Sequence, residues 1–213
     1  MMATTEFDAP KSLRLESIRK ARRIRLREPH ISTLTEFVEQ VREERECVDL
    51  VPYFDPADGG IEAECLFLLE APGPQAVASG FVSRNNPDES AKNWHQANAL
   101  AKLRRTRTAS WSIIPWYIGD GGRIRTPRPA DIDEGWSYLQ VLLELLPRLR
   151  LIALVGRHAQ AMHPRLVALR LPMVVMHTPH PSPQFVNRQP GNRDILNASV
   201  REIAIMLDRL RTT

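Results

Sequence analysis

Cysteine is scarce in this chain. The 213 residues include two, Cys47 and Cys65, far apart and in no metal-type spacing. They cannot build a disulfide framework, and within one chain they cannot build a zinc site or a four-cysteine iron–sulfur site. Long apolar runs are missing too: none approaches membrane-spanning length, and the first residues lack a signal peptide's apolar stretch. Internal repeats and low-complexity tracts are absent. These absences point to a reduced, cytoplasmic protein, nucleoid-associated if bacterial, that makes no use of a membrane.

The composition is ordinary for a globular protein, at 43% hydrophobic and 25% charged. The length suits one domain of generous size, or one domain with an N-terminal extension. The balance is basic, with a net charge of +4, and arginine is far commoner than lysine. That suits a polyanionic partner without demanding one. Residues 12–28 are arginine-rich with scattered leucine and isoleucine. They predict a basic amphipathic helix, packed on the domain with a solvated face or serving as an arm for DNA phosphates. We divide the chain into an N-terminal basic, helical extension over 1–47 and a main domain over 48–213.

Four apolar runs of strand length alternate with helical periodicity. The strands are expected at Cys65–Leu69, Trp111–Tyr117, Leu151–Val155 and Met173–Met176. Helices are expected from Thr33 to Cys47 on capping-box spacing, from Asn86–Pro87–Asp88–Glu89 to Arg105, over 131–149, over 158–169 with Pro164 limiting regularity, and over 192–210. Residues 75–86 are read as loop. Alternation of this kind predicts an α/β fold, a three-layer α/β/α sandwich around a four-stranded parallel sheet. Ligands of such sheets bind outside the carboxyl ends of the strands.

Two strands run into proline-rich loops that carry chemistry: Glu70–Ala71–Pro72–Gly73–Pro74 and His177–Thr178–Pro179–His180–Pro181–Ser182–Pro183. Proline forbids both helix continuation and ladder pairing, so each loop leaves the sheet stiffly. A carboxylate and an imidazole held there suit acid–base or electrophilic work.

At these residues the chain resembles the uracil-DNA glycosylase superfamily. LLEAPGP, residues 68–74, is similar to the first catalytic motif, closest to its GEAPG form, and HPSP, residues 180–183, to the second. The resemblance spans about residues 48–211. It implies a monofunctional DNA repair enzyme that hydrolyses the N-glycosidic bond of uracil flipped out of DNA and leaves an abasic site. Its implied partners are uracil-containing DNA and the abasic product, and a monomer is expected; the GEAPG form resembles iron–sulfur branches, but the chain lacks their four cysteines, so no cofactor and no metal are expected. Glu70 would orient the attacking water and His180 would stabilise charge on the departing base. Ala71, Pro72, Gly73, Asn85, Ser112, Trp116 and Tyr117 would line the base pocket, and Phe81 would stack on the base. Arg84, Arg123, Arg125 and Ser182 would contact DNA, with Gln184 or Phe185 entering the vacated stack. Glu70, Phe81 and His180 should converge on one pyrimidine-sized hole.

Three positions depart from the family pattern. Leu69 replaces the first motif's glycine, Ala71 stands where several branches keep Asp or Asn, and Ser112 takes the place of the uracil-reading asparagine. These departures motivate an alternative, a DNA-binding protein that recognises uracil or abasic sites with little or no turnover.

Overall fold

The computed structural model describes residues 7–46, 50–120 and 124–211. Its strands are β1 (Tyr53–Phe54), β2 (Cys65–Leu69), β3 (Phe81–Val82), β4 (Thr108–Ser112), β5 (Leu151–Val155) and β6 (Val174–Thr178). Its α-helices are α1 (Glu16–Ile24), α2 (Ser32–Glu44), α3 (Pro74–Ser79), α4 (Glu89–Leu100), α5 (Pro129–Glu144), α6 (Arg157–Gln160), α7 (His163–Ala168), α8 (Pro183–Val186) and α9 (Asn192–Arg211). Four strands make one sheet in the order β4-β2-β5-β6, and every pairing is parallel. The predicted α/β class and four-stranded parallel sheet are therefore present.

The period-two geometry of a strand divides the core. Leu66, Leu68, Ala109, Trp111, Ile152 and Leu154 face one side and pack with Leu34, Phe37, Val38 and Val41 of α2 and Leu139 and Leu142 of α5. Cys65, Phe67, Leu151, Ala153 and Val155 face the other and pack with Trp94 and Ala97 of α4 and Leu196, Val200, Ile203 and Leu207 of α9. Helices on both faces explain why the two central strands, β2 and β5, read as continuous apolar runs. Next after β2 in the sheet comes β4 on one side, while β5 pairs on the other. The chain thus reverses its direction of travel at β2, which opens a crevice at the carboxyl ends of the strands.

Several local expectations are corrected. The second strand of the sheet is Thr108–Ser112, not Trp111–Tyr117, because its register aligns Thr108 with Cys65 and Ser112 with Leu69. Residues beyond Ser112 run on as a buried loop, held by Ile113 N–H to the Leu69 carbonyl (2.8 Å) and Tyr117 N–H to the Leu50 carbonyl (2.9 Å). Residues 75–86 are not loop throughout, since they hold α3 and the two-residue β3, which pairs with β1. The helix expected over 158–169 is broken into α6 and α7, with a proline in the first turn of α7. Thr33 does not cap α2: the helix starts at Ser32, and Thr35 Oγ1 bonds back to the Leu26 carbonyl at 2.8 Å. Nor does Asn86 cap α4; Asp88 does, its Oδ1 accepting the Ala91 N–H at 2.8 Å.

The N-terminal segment is built into the molecule. Leu13, Ile18 and Leu26 form a separate apolar cluster with Phe81. Beside it lies a buried ionic network. Asp55 is paired with Arg22 and with Arg105, each at 2.8 Å, and it also accepts the Ser83 hydroxyl. Arg105 reaches Asp58 at 2.7 Å and Asn85 Oδ1 at 2.5 Å. Burial pushes the Asp55 carboxyl up, but Arg105 and Arg22 outweigh it and hold the group below its ordinary range. Burial wins at Asp58, whose carboxyl is raised despite Arg105 and Arg84.

Removing one partner of a buried pair leaves a charge without compensation, which costs about 3–5 kcal/mol. Arg22→Ala should therefore lower the unfolding free energy in urea by about that amount. An unchanged midpoint would show that Asp55 does not depend on Arg22.

Candidate active site

A cavity of about 320 Å³ opens where the carboxyl ends of β2 and β4 meet two loops. Leu69, Ala71, Pro72 and Gly73 line it from the end of β2, and Ser110 and Ser112 from β4. The segment after β3 contributes Val82, Ser83, Arg84, Asn86 and Asp88. The start of α4 adds Ser90, Ala91 and Trp94, and the loop after β6 adds His180 and Pro181.

His180 is the most tightly specified of these groups. Its Nδ1 accepts the Ser182 N–H at 3.2 Å. A backbone donor on Nδ1 selects the tautomer with its proton on Nε2, leaving that N–H available to a ligand. Burial pushes the imidazole below its ordinary value, opposed by the charge of Asp88. The loop itself is anchored twice: Asn93 Nδ2 donates to the Pro181 carbonyl at 2.9 Å, and Thr178 Oγ1 lies 2.7 Å from Ser199 Oγ on α9. Gly156, at the end of β5, makes room. Its φ is +82°, and a Cβ there would stand 2.9 Å from His180 Cβ. Only glycine meets both conditions without displacement.

Asp88 supplies the carboxylate. Its Oδ1 is fixed by the Ala91 N–H at the start of α4, and its charge acts on His180. Arg84 is buried in the wall, at 8% exposure, and donates from Nη2 to Thr108 Oγ1 at 2.9 Å. Asn86 has both ends of its amide engaged, accepting from Ser79 Oγ at 2.7 Å and donating to the Phe81 carbonyl at 2.9 Å.

The expected convergence of Glu70, Phe81 and His180 is met by His180 alone. The Glu70 side chain does not line the cavity, although its neighbours Leu69 and Ala71 do. Its carboxylate lies 3.9 Å from His158 Nε2. Burial raises the Glu70 carboxyl, against the pull of His158 and Arg157. Phe81 is fully buried against Leu13, Ile18 and Leu26, so its ring cannot stack on a base without leaving that cluster. Asn85 is buried in the ionic network, accepting from Arg22 (3.3 Å) and Arg105 and donating to the Ala9 carbonyl. Trp116 lies in the core under the Arg45 guanidinium, 3.4 Å from its ring centroid, and Tyr117 is buried beside it in the chain. Neither aromatic lines the cavity.

Of the residues expected at DNA phosphates, Arg84 is the clearest correction, because it faces the cavity and not the surface. Arg125 makes a two-pronged pair with Asp131, at 2.7 and 2.8 Å. Arg123 lies outside the described residues. Ser182 caps α8 through the Phe185 N–H, Phe185 is half-buried against the second core, and Gln184 is exposed. Ala71, Pro72, Gly73 and Ser112 line the cavity as expected.

A family model described as the Uracil DNA glycosylase superfamily matches residues 56–204. The chain belongs to that superfamily. The superfamily match holds every cavity-lining residue named above and ends short of α1, α2 and β1. Both motifs that resemble the superfamily's, residues 68–74 and 180–183, contribute to the cavity wall. Among solved structures, a solution structure of a Methanosarcina acetivorans protein, named as a candidate uracil DNA glycosylase, is similar at 16% identity and a TM-score of 0.47. The similarity covers 67% of this chain and 91% of that one. No curated protein matches.

Asp88 and Trp94 are among the cavity residues that the sequence alone did not mark for a site role. Both sit on a recognisable amphipathic helix, where capping and core packing account for them by pattern alone. Among the described residues, Trp94 is the one Phe, Tyr or Trp side chain in the wall, set edge-on to Phe67 with ring centroids 4.7 Å apart.

The His180 assignment is open to nitrogen NMR. The ring should carry its proton on Nε2 and titrate below its ordinary value of 6.5. A proton on Nδ1, or an upward shift, would contradict this geometry.

Proposed function

We propose that this protein hydrolyses the N-glycosidic bond of uracil flipped out of DNA, releasing the base and leaving an abasic site. The observation that carries the reading is that His180 and Asp88 line one cavity of about 320 Å³ within the superfamily match, the charge of Asp88 acting on the His180 ring.

The chemistry follows from those two groups. As the bond from C1′ to the base nitrogen breaks, its electron pair moves onto the uracil ring and its oxygen. The Nε2–H of a neutral His180 donates to that oxygen, stabilising charge where it develops. The sugar is left with oxocarbenium character, and a carboxylate beside it is stabilising. Asp88 fills that position in place of Glu70. Its second oxygen accepts a proton from the water that adds to C1′, so the products are free uracil and an abasic deoxyribose. Flipping costs a few kcal/mol, and stacking against an aromatic ring returns about 1–3 kcal/mol. Trp94 replaces Phe81 as the ring available for this. Gln184, which is exposed, would be the side chain that enters the vacated stack.

A second reading, a uracil or abasic-site binder with little turnover, draws on Ala71 and Ser112, which present a methyl and a hydroxyl to the same cavity. Incubation with a uracil-containing oligonucleotide, followed by alkaline cleavage of abasic sites, separates the two. Strand cleavage supports the enzyme, and tight binding without cleavage supports the binder.

Within the enzymatic reading, His180→Ala should slow base release by about 100-fold or more, and Asp88→Asn by a comparable factor. Glu70→Gln should have the smallest effect of the three. Gly156→Ala should displace His180 and cost about 10- to 100-fold. Full activity in the Asp88 variant, with loss in the Glu70 variant, would return the catalytic carboxylate to the first motif.

A further inference from the structure

Charge is unevenly distributed along this chain. Residues 11–28 hold eight lysines and arginines against two glutamates, a net +6, while the whole chain carries +4. The rest of the chain is therefore net negative. Its basic character lies in one N-terminal segment that precedes the superfamily match. Arg22 is buried against Asp55. Arg14, Lys20, Arg23 and Arg27 are exposed.

The helical period arranges these cations. Along α1 and the 3₁₀ turn Arg25–Arg27 that continues it, Lys20, Arg23 and Arg27 recur at spacings of three and four and form one stripe. Ile18 and Arg22, on the opposite side, are buried. Glu16 is the one acid on the stripe, and Arg19 and Arg23 share it. Arg27 meets Glu39 of α2 at 3.1 Å, an exposed pair that a phosphate can replace at little cost. Lys20 makes no salt bridge among the described residues.

We propose that Lys20, Arg23 and Arg27 bind phosphates of the duplex flanking the flipped nucleotide, so that the N-terminal segment adds a second DNA-contact surface to the cavity domain. The inference rests on the glycosylase reading of the cavity, which brings a duplex to the molecule.

Placement and spacing both favour this partner. The Leu13 N–H donates to the Asn85 carbonyl at 3.1 Å, Lys11 pairs with Glu89 at the start of α4, and Leu13, Ile18 and Leu26 pack on Phe81. The stripe is thus carried by a segment fixed to residues 82–88, which form one cavity wall, and not by a loose arm. Lys20 to Arg27 spans about 10 Å, the axial rise of about three nucleotides of one strand. A lipid surface is the poorer match. An interfacial helix inserts an apolar face, but Ile18 and Leu26 are already buried with Phe81, and Ile24 is the one exposed large apolar residue within α1.

The salt dependence of binding tests this, read by fluorescence anisotropy with the full-length protein and a uracil-containing duplex. Each phosphate contact adds about 0.9 to the slope of log affinity against log salt. A protein carrying Lys20→Ala, Arg23→Ala and Arg27→Ala together should show a slope shallower by about 2 to 3 and bind about 10-fold or more weakly at low salt. The same loss is expected on a duplex without uracil, since phosphates carry no sequence. In turnover the loss should fall on KM and not on kcat. The three side chains are exposed, so the urea midpoint should match that of the wild type.

The outcomes separate the two proposals. Uracil release with an unchanged slope overturns the second surface and leaves the glycosylase reading intact. A shallower slope in the variant, with no base released from any duplex by the wild type, overturns the glycosylase reading and keeps the phosphate surface. A loss confined to kcat assigns the segment to shaping the cavity wall and overturns the phosphate contacts. Co-sedimentation with phosphatidylglycerol vesicles is the second arm: vesicle binding that the triple substitution abolishes, with duplex binding untouched, gives the stripe to a lipid surface and overturns the proposal.

Discussion

Asp55 is the constraint on which the rest of the molecule depends. It is a carboxylate with no access to water, and it survives as an ion because Arg22, Arg105, the Ser83 hydroxyl and the Ala57 N–H all converge on it. Those partners come from the N-terminal helix, the approach to the second strand of the sheet, and the segment after Phe81. A buried charge of this kind contributes little net stability when satisfied, yet breaking it is expensive. Its effect here is to specify position. Residues 82–88 have almost no regular structure of their own, and they form one whole wall of the cavity. They are held from behind by this network and by Phe81, whose ring is gripped by Leu13, Ile18 and Leu26. The N-terminal segment lies outside the superfamily match, yet it shapes the wall that carries Arg84 and Asp88.

The opposite wall is set by the sheet. Parallel strands place all their carboxyl ends together, and the reversal of strand order at Cys65–Leu69 leaves a gap there. The histidine loop crosses that gap as a stiff, proline-rich strap. Its height is fixed by Gly156, which allows His180 to approach the end of the neighbouring strand more closely than any side chain would permit. His180 and the Asp88 carboxylate line the same open cavity, close enough for the charge of Asp88 to act on the imidazole.

Much of the framework was legible in the residues. Three strands of the sheet, Cys65–Leu69, Leu151–Val155 and Val174–Thr178, lie in or overlap apolar runs that hydrophobic periodicity finds, whereas Thr108–Ser112 is not such a run, and the prolines after Glu70 and His177 mark where the chain must leave the sheet. His180 was legible for the same reason, since a residue just past a strand's end has few places to go, whereas Ala71, Pro72, Gly73 and Ser112 were legible only through the resemblance to the superfamily's motifs. Glu70 shows where this logic stops. Alternation sends Leu69 and Ala71 to the cavity and Glu70 away from it, so a one-residue offset decides which side chain meets a substrate. The place of Phe81 is not legible because its partners Leu13, Ile18 and Leu26 lie far back along the chain, in an arginine-rich N-terminal segment whose apolar residues are a minority. Trp116 and Tyr117 were placed at a strand's end that actually falls at Ser112. Asp88 hid behind a sufficient local explanation, helix capping, which it also performs.

The central claim is that one cavity, walled by His180 on one side and Asp88 on the other, receives the base. A crystal structure of the protein soaked with free uracil tests it most directly. The account predicts the ring inside the cavity, with a carbonyl oxygen within hydrogen-bond distance of His180 Nε2. Uracil bound instead beside Glu70 and His158, with the cavity left vacant, would contradict it.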